Sequence, residues 1–392
     1  MEPGTSAAEG SIPLSVPDVG QLEAAYAAEC VASGWLAVGL FVERLEQACA
    51  DLTGARHAVA TTNGTAALHL ALLLAGVRPD DEVIVPTLTF IASANAVVYA
   101  GATPALLDVE PDHWQLDPER VEAFLAGECE RVDGQLVDRR TGRRVSAVMP
   151  VHILGHPVDL DPILALAEEY GLAIVEDATE SIGARYRDRP VGGLGLLGCL
   201  SFNGNKLATA GGGGMILTDD DGLAERARYL STQAKDDPVE YVHNEIGFNY
   251  RLSNLHAAIG CAQLERLDEL VAARRAIAAR YAEAFAGVDG FELQPEAEWA
   301  SSTFWLSTVL LDPERLGVNR HDVLAALAQR GIQSRPLWQP LHLSPAHASA
   351  RITPCPVAES IAAQALSLPS SSGLTRDDQE RVIAAVIGAV GA

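Results

Sequence analysis

Between Val83 and Leu107 the chain carries no charged residue, and this run most constrains what it can fold into. An uncharged stretch of that length either crosses a bilayer or lies in a protein core. Pro86, Asn95, Gly101 and Pro104 interrupt it, and it divides into a strand at Glu82–Pro86, a helix at Phe90–Ala100 and a strand at Thr103–Asp108. No membrane span is expected. The alternation continues with strands at Val145–His152 and Leu172–Asp177 and a helix at Ile163–Tyr170 between them. Leu172-Ala-Ile-Val is an unbroken apolar run, as in a strand covered on both faces. Such alternation predicts an α/β protein with a mostly parallel sheet flanked by helices.

Ligands of parallel sheets bind beyond the carboxyl ends of the strands, so residues at those ends are the first functional candidates. The strand from His57 turns through Asn63-Gly64-Thr65 into a helical stretch at Ala66–Ala75. Free amides and a positive helix end at that turn suit an anion. An ordinary N-cap by Asn63 or Thr65 explains the same residues. Glu176, Asp177 and Thr87–Phe90 fall on the same rim.

The segment Gly198–Gly214 holds one lysine, Lys206, and no other charged residue lies between Arg189 and Asp219. Its ammonium form would be poorly solvated there, and desolvation frees a lysine amine as a nucleophile. The plain alternative is a lysine reaching from a strand end to water. Ser201 precedes it, Asn203-Gly204-Asn205 makes a turn, and Gly211–Gly214 suit a backbone pressed against a flat ligand. A nucleophilic lysine, an aspartate at a buried strand end and a phosphate-binding turn are what pyridoxal phosphate requires. The lysine forms a Schiff base, and the aspartate keeps the pyridine nitrogen protonated. Phe90 is positioned to stack on the ring. Asp177 by itself also reads as a structural or helix-capping carboxylate.

Lys plus Arg number 28 against 52 Asp plus Glu, a formal net charge of −24, which repels a phosphate backbone and argues against nucleic acid as a partner. Six scattered cysteines without paired spacing, and an N-terminus lacking both a basic region and an apolar run, point to a cytoplasmic protein with reduced thiols and no secretory signal. No metal site is expected. Further along, 234–243 reads as a long loop and Leu255–Phe285 as one helix. A smaller α+β unit follows, with a strand at Thr303–Leu311 and helices at Arg320–Arg330, Val357–Ala365 and from Arg376. The division is 1–254 for an N-terminal arm and large domain, 255–290 for a connecting helix and 291–392 for the small domain. Gly193-Leu-Gly195-Leu-Leu-Gly198 matches G-x-G-x-x-G, but it precedes a strand rather than a helix, which disfavours a nicotinamide oxidoreductase.

Glu176-Asp-Ala-Thr-Glu-Ser, Ser201-Phe-Asn-Gly-Asn-Lys206, Asn63-Gly-Thr-Ala-Ala-Leu and Asn249-Tyr-Arg-Leu together resemble the DegT/DnrJ/StrS family of nucleotide-sugar aminotransferases, over nearly the whole chain. Pro86-Thr-Leu-Thr-Phe-Ile-Ala, Asp236 to Gly247 and Arg335-Pro-Leu-Trp-Gln-Pro-Leu-His342 are similar to the subgroup that aminates UDP-linked 4-keto-6-deoxy-hexosamines on the way to bacillosamine or legionaminic acid. The resemblance implies the aspartate aminotransferase-like fold type I, with a mostly parallel seven-stranded sheet and a smaller α+β C-terminal domain. It implies pyridoxal 5′-phosphate bound to Lys206, with Asp177 on the pyridinium and Phe90 on the ring face. Gly64, Thr65 and Ser201 would hold the phosphate beside Asn203, and Asn249 would reach it from a neighbouring subunit, making a homodimer with shared active sites. Glu180 stands where the family commonly has glutamine beside the cofactor's phenolic oxygen, and a carboxylate there must be protonated to donate a hydrogen bond. Trp338, His342 and Arg251 would contact substrate, although packing inside the small domain accounts equally for Trp338 and His342.

The implied reaction moves the amino group of L-glutamate, through pyridoxamine 5′-phosphate, to a UDP-4-keto-6-deoxy-N-acetylhexosamine. The alternatives are a GDP- or dTDP-linked keto sugar and a non-catalytic sensor on the same fold. A pyridoxamine-dependent dehydratase would carry histidine in place of Lys206.

Overall fold

The computed structural model describes residues 10–237 and 239–391. Residues 1–9, on which the absence of a leader was argued, lie outside them, as do Pro238 of the 234–243 loop and Ala392. Seven strands form the large sheet: β1 (His57–Thr61), β2 (Glu82–Pro86), β3 (Thr103–Leu107), β4 (Val145–Val148), β5 (Ala173–Asp177), β6 (Leu197–Ser201) and β7 (Gly214–Thr218). Their spatial order is β1-β7-β6-β5-β4-β2-β3. All run parallel except β7, which is antiparallel to both β1 and β6. An eighth, two-residue strand, Arg351–Ile352, pairs with β3 at the far edge, one more than expected. It pairs only from Ala105 onward, so Pro104, which has no N–H to give, faces no partner on that side.

Helices cover both faces: α1 (Gln21–Ser33), α2 (Leu40–Thr53), α3 (Gly64–Leu74), α4 (Ala92–Tyr99), α5 (Pro118–Glu128), α6 (Leu160–Tyr170) and α7 (Asp221–Ser231). Every residue of β2, β6 and β7 is buried, as the unbroken apolar runs require. The helix expected at Leu255–Phe285 is two, α8 (Asn254–Glu265) and α9 (Leu267–Phe285), separated at Arg266. Its guanidinium is tied back to Asp18 (3.0 Å) and Glu23 (3.2 Å) of the N-terminal arm. Apolar spacing runs on across the break and cannot report it.

After α9 comes a second sheet, with β8 (Phe291–Leu293), β9 (Ser307–Leu311), β10 (Arg335–Pro336) and β11 (Ala365–Leu368) in the order β8-β9-β11-β10. The strand expected from Thr303 starts only at Ser307, and β11 follows directly on a helix at Pro356–Gln364. This sheet has its own hydrophobic cluster, with Ile277, Tyr281 and Phe285 of α9 against Val309, Leu327 and Leu366.

Candidate active site

Four turns at the carboxyl ends of the large-sheet strands meet around a cavity of about 280 Å³. Asn63–Thr65 follow β1, Phe90 follows β2, Thr179 and Glu180 follow β5, and Ser201, Asn203, Asn205 and Lys206 end or follow β6. Trp305 and Trp338 close it from the C-terminal part of the chain.

Lys206 is not alone there, contrary to the sequence reading. Its Nζ lies 3.3 Å from Glu180 Oε1 and 4.3 Å from the centre of the Trp305 ring, and its side chain is 12% exposed. Glu180 also accepts the Leu154 N–H through Oε2 at 3.0 Å. Burial pushes the Glu180 carboxyl above the ordinary glutamate value, although Lys206 and the Leu154 amide oppose the shift. Asp177 is buried two residues behind Thr179, where Oδ2 accepts the Ser93 hydroxyl (2.7 Å) and Oδ1 the Thr179 amide (3.1 Å).

At the opposite end, Asn63 Oδ1 accepts the Ala66 N–H at 2.8 Å and caps α3. The cap leaves the first amides of α3, on Gly64 and Thr65, without an intrahelical partner. Capping and anion binding are therefore compatible in one turn. The Ser201 hydroxyl accepts the Asn203 amide at 3.3 Å and keeps its own hydrogen to give. A Cβ on Gly64 would come within 2.9 Å of Ser201 Cβ and 3.2 Å of Thr179 Cγ2, so the turn fits against its wall only as glycine. Two free amides, the Ser201 hydroxyl and a helix N-terminus are donors that suit a phosphate, with a lysine amine and a buried carboxylate at the other end. The residues present fit pyridoxal phosphate.

The sequence profile of the DegT/DnrJ/EryC1/StrS aminotransferase family matches residues 17–387. The chain belongs to this family. It is 42% identical to the GDP-perosamine synthase of Caulobacter vibrioides over 377 residues, 96% of this chain and 97% of that one. It is structurally similar to S. venezuelae DesV in complex with a ketimine intermediate, with a TM-score of 0.84, 36% identity and 94% of each chain covered. It is also similar to DesI in the presence of its TDP-sugar product, with a TM-score of 0.86, 30% identity and 98% of this chain and 96% of that one covered. The protein is a pyridoxal phosphate-dependent aminotransferase of nucleotide-linked sugars.

Several residues expected at the site of this aminotransferase lie elsewhere in the single chain. Asn249 is exposed and bridges Thr232. Arg251 is exposed, bridges Thr61 and lines a separate hollow with Gly39 and Arg228. His342 does not line the cavity and is held between Thr87 Oγ1 on the rim of the large sheet (2.8 Å) and Glu359 Oε1 (3.2 Å) with its side chain 7% exposed, so it packs between the two parts of the chain rather than inside the small one. Trp338 lines the cavity, and Phe90 stands half-exposed on its wall. The glycine run does not face the cavity. Gly213 has φ +130°, and a Cβ on Gly214 would strike the Asn63 backbone at 2.5 Å. The run seats β7 against the capping turn rather than against a flat ligand.

Part of the G-x-G-x-x-G match has a structural use: the amides of Leu194 and Gly195, with that of Gly192 just before the match, donate to the buried Glu176 carboxylate at 2.5, 2.6 and 2.8 Å. Trp305, Thr179 and Ser93 were missed as site residues, and Asn205 was read only as part of a turn. Trp305 reaches the site from 99 residues beyond Lys206 (305 − 206 = 99), a distance that no local pattern spans.

Gly64→Val should lower the fraction of cofactor retained, because the added methyls occupy the space between Ser201 and Thr179 at a cost of about 1–3 kcal/mol. Absorbance of the purified variant after dialysis measures this. Retention equal to the wild type would contradict the cradle.

Proposed function

We propose that the enzyme transfers the amino group of L-glutamate to a nucleotide-linked 4-keto-6-deoxy sugar, yielding a 4-amino-4,6-dideoxy sugar and 2-oxoglutarate, and that the nucleotide is GDP. What carries the reading is Lys206, paired with Glu180 across a cavity whose far end offers the free amides of Gly64 and Thr65. GDP takes precedence over the UDP-hexosamine reading because the relative that is 42% identical is a GDP-perosamine synthase.

Bound here, pyridoxal phosphate supplies a protonated pyridine ring that takes up the electron pair left on the substrate carbon. In our reading Asp177, fixed by Ser93 and Thr179, holds that ring nitrogen protonated. Gly64, Thr65 and Ser201 hold the phosphate beside Asn203, and Phe90 covers the ring. Lys206, once released as a free amine, would take the α-proton of glutamate at Nζ and pass it to the neighbouring aldehyde-derived carbon of the cofactor, within reach of the same amine. Glu180, ion-paired with Lys206 at 3.3 Å and with its carboxyl raised by burial, would donate to an oxygen beside Lys206 once that amine no longer carries its charge. Trp305 excludes water from that amine.

We further propose a cytoplasmic homodimer in which Asn249 and Arg251 act on the partner's site. In support, both are exposed, as are the apolar Trp35 (66%), Leu40 (73%) and Ile246 (89%). All six cysteines are free and buried, and among the described residues no helix is long and apolar enough to cross a membrane. The division at 254 and 291 is likewise proposed, each side having a sheet of its own.

The test is the absorption spectrum with pyridoxal phosphate before and after L-glutamate. We expect the yellow lysine-bound form to give way to a colourless one, and a GDP-linked keto sugar to restore the colour. A yellow protein that glutamate leaves unchanged would rule out this donor.

A further inference from the structure

A second cavity of about 320 Å³ adjoins the first and shares Asn205, Trp305 and Trp338 with it. The partition is fixed, because the Trp305 indole N–H donates to the Asn205 carbonyl at 2.8 Å. The remaining wall is built from Leu14 and Ser15 of the N-terminal arm, Leu306, Gln333, Arg335 to Leu337 and Ser367. Arg335, an exposed residue at its edge, is the one charged residue on it among the described residues. Pairing of β10 with β11, Arg335 opposite Ser367, sets its position. Its guanidinium donates to the Ser334 carbonyl at 2.9 Å, and among the described residues no carboxylate lies within ion-pair distance of it.

The charge balance of the two chambers differs. Lys206 and Glu180 offset each other in the first, whereas the second holds an uncompensated cation in a chain of formal charge −24. A guanidinium with free donors beside two indoles suits phosphate oxygens followed by a planar ring. Resting on the keto-sugar reading above, we propose that the second chamber receives the diphosphate and the start of the nucleoside, with Arg335 as the residue that binds the diphosphate. The reacting carbon of the sugar must face Lys206, and its diphosphate leaves from across the ring, one hexose width away. The α-carboxylate of an amino donor is bonded to the reacting carbon and must stay in the first chamber. Only its distal carboxylate competes for Arg335.

The test uses the holoenzyme and its Arg335→Gln and Arg335→Lys variants, in two arms. In the first, GDP, UDP and dTDP, which share the diphosphate, are titrated calorimetrically. In the second, the half-saturating glutamate concentration for bleaching the yellow form is measured without any sugar. Loss of a charge-assisted hydrogen bond should weaken the best-bound nucleotide by roughly 10- to 100-fold in Arg335→Gln, with Arg335→Lys between it and the wild type. The glutamate arm should shift far less. Equal nucleotide affinity in all three proteins, a loss confined to the glutamate arm, or a wild type that binds none of the three nucleotides overturns the proposal. Failure of glutamate to bleach the wild type strikes the aminotransfer reading instead, and leaves the nucleotide arm to judge Arg335.

Discussion

Replacing Lys206 with alanine should leave pyridoxal phosphate bound without a covalent link and lower turnover by at least about 10³-fold, the scale of a lost proton-transfer group. The phosphate donors and the Asp177 carboxylate are untouched by the change, so cofactor content after gel filtration should remain measurable. The variant also strands Glu180 with the Leu154 amide as its one remaining partner. A buried carboxyl deprived of its cation takes up a proton, so the alanine protein should not carry an extra buried negative charge. Turnover with glutamate and keto sugar, measured beside cofactor content, decides the matter. Activity within tenfold of the wild type would remove Lys206 from the centre of the mechanism.

The largest effect on stability is expected at Glu176. Its carboxylate is completely buried, accepts three loop amides and lies 3.2 Å from His152 Nε2. Glu176→Ala leaves those donors without an acceptor, at a cost of about 3–5 kcal/mol, to be read as a lower urea midpoint at constant slope. Burial by itself would raise this carboxyl, but His152 and the Gly192 and Gly195 amides outweigh it and hold the group below its ordinary value of 4.5. A depressed native pKa means that the contribution is complete above 4.5 and disappears as the pH falls through the native value. The gap between wild type and variant should therefore hold steady above about pH 5 and narrow as the pH falls below 4.5. A gap independent of pH would show that packing, not charge, stabilises the loop.

These sites differ in how much the sequence discloses. The turn at Asn63–Thr65, the end of β5 and the isolated Lys206 are local, and strand-helix alternation alone brings them to one rim. Trp305 and Ser93 act through partners far along the chain, so neither spacing nor composition marks them. The break at Arg266 is decided by carboxylates in the N-terminal arm, and the apolar period is silent about it. Glu176 and the glycine-rich 192–195 segment suggest two unrelated motifs when read separately, and only folding shows that one is the anion and the other its nest. His342 follows the same rule: a motif position named it, and Thr87 and Glu359 claim both its nitrogens.

The short strand at Arg351–Ile352 bears on how the enzyme opens. Arg351 is 4% exposed, bonds Asp138 at 2.6 Å and pairs with Glu128, and the strand hydrogen-bonds to β3. The C-terminal part of the chain is thus anchored to the large sheet at its far edge as well as through α8 and α9. A body pinned at two separated points cannot swing about either one. Admission of substrate then falls to side chains and loops at the cavity mouth, where Phe90 stands half-exposed, while the distance between the two sheets stays set before anything binds.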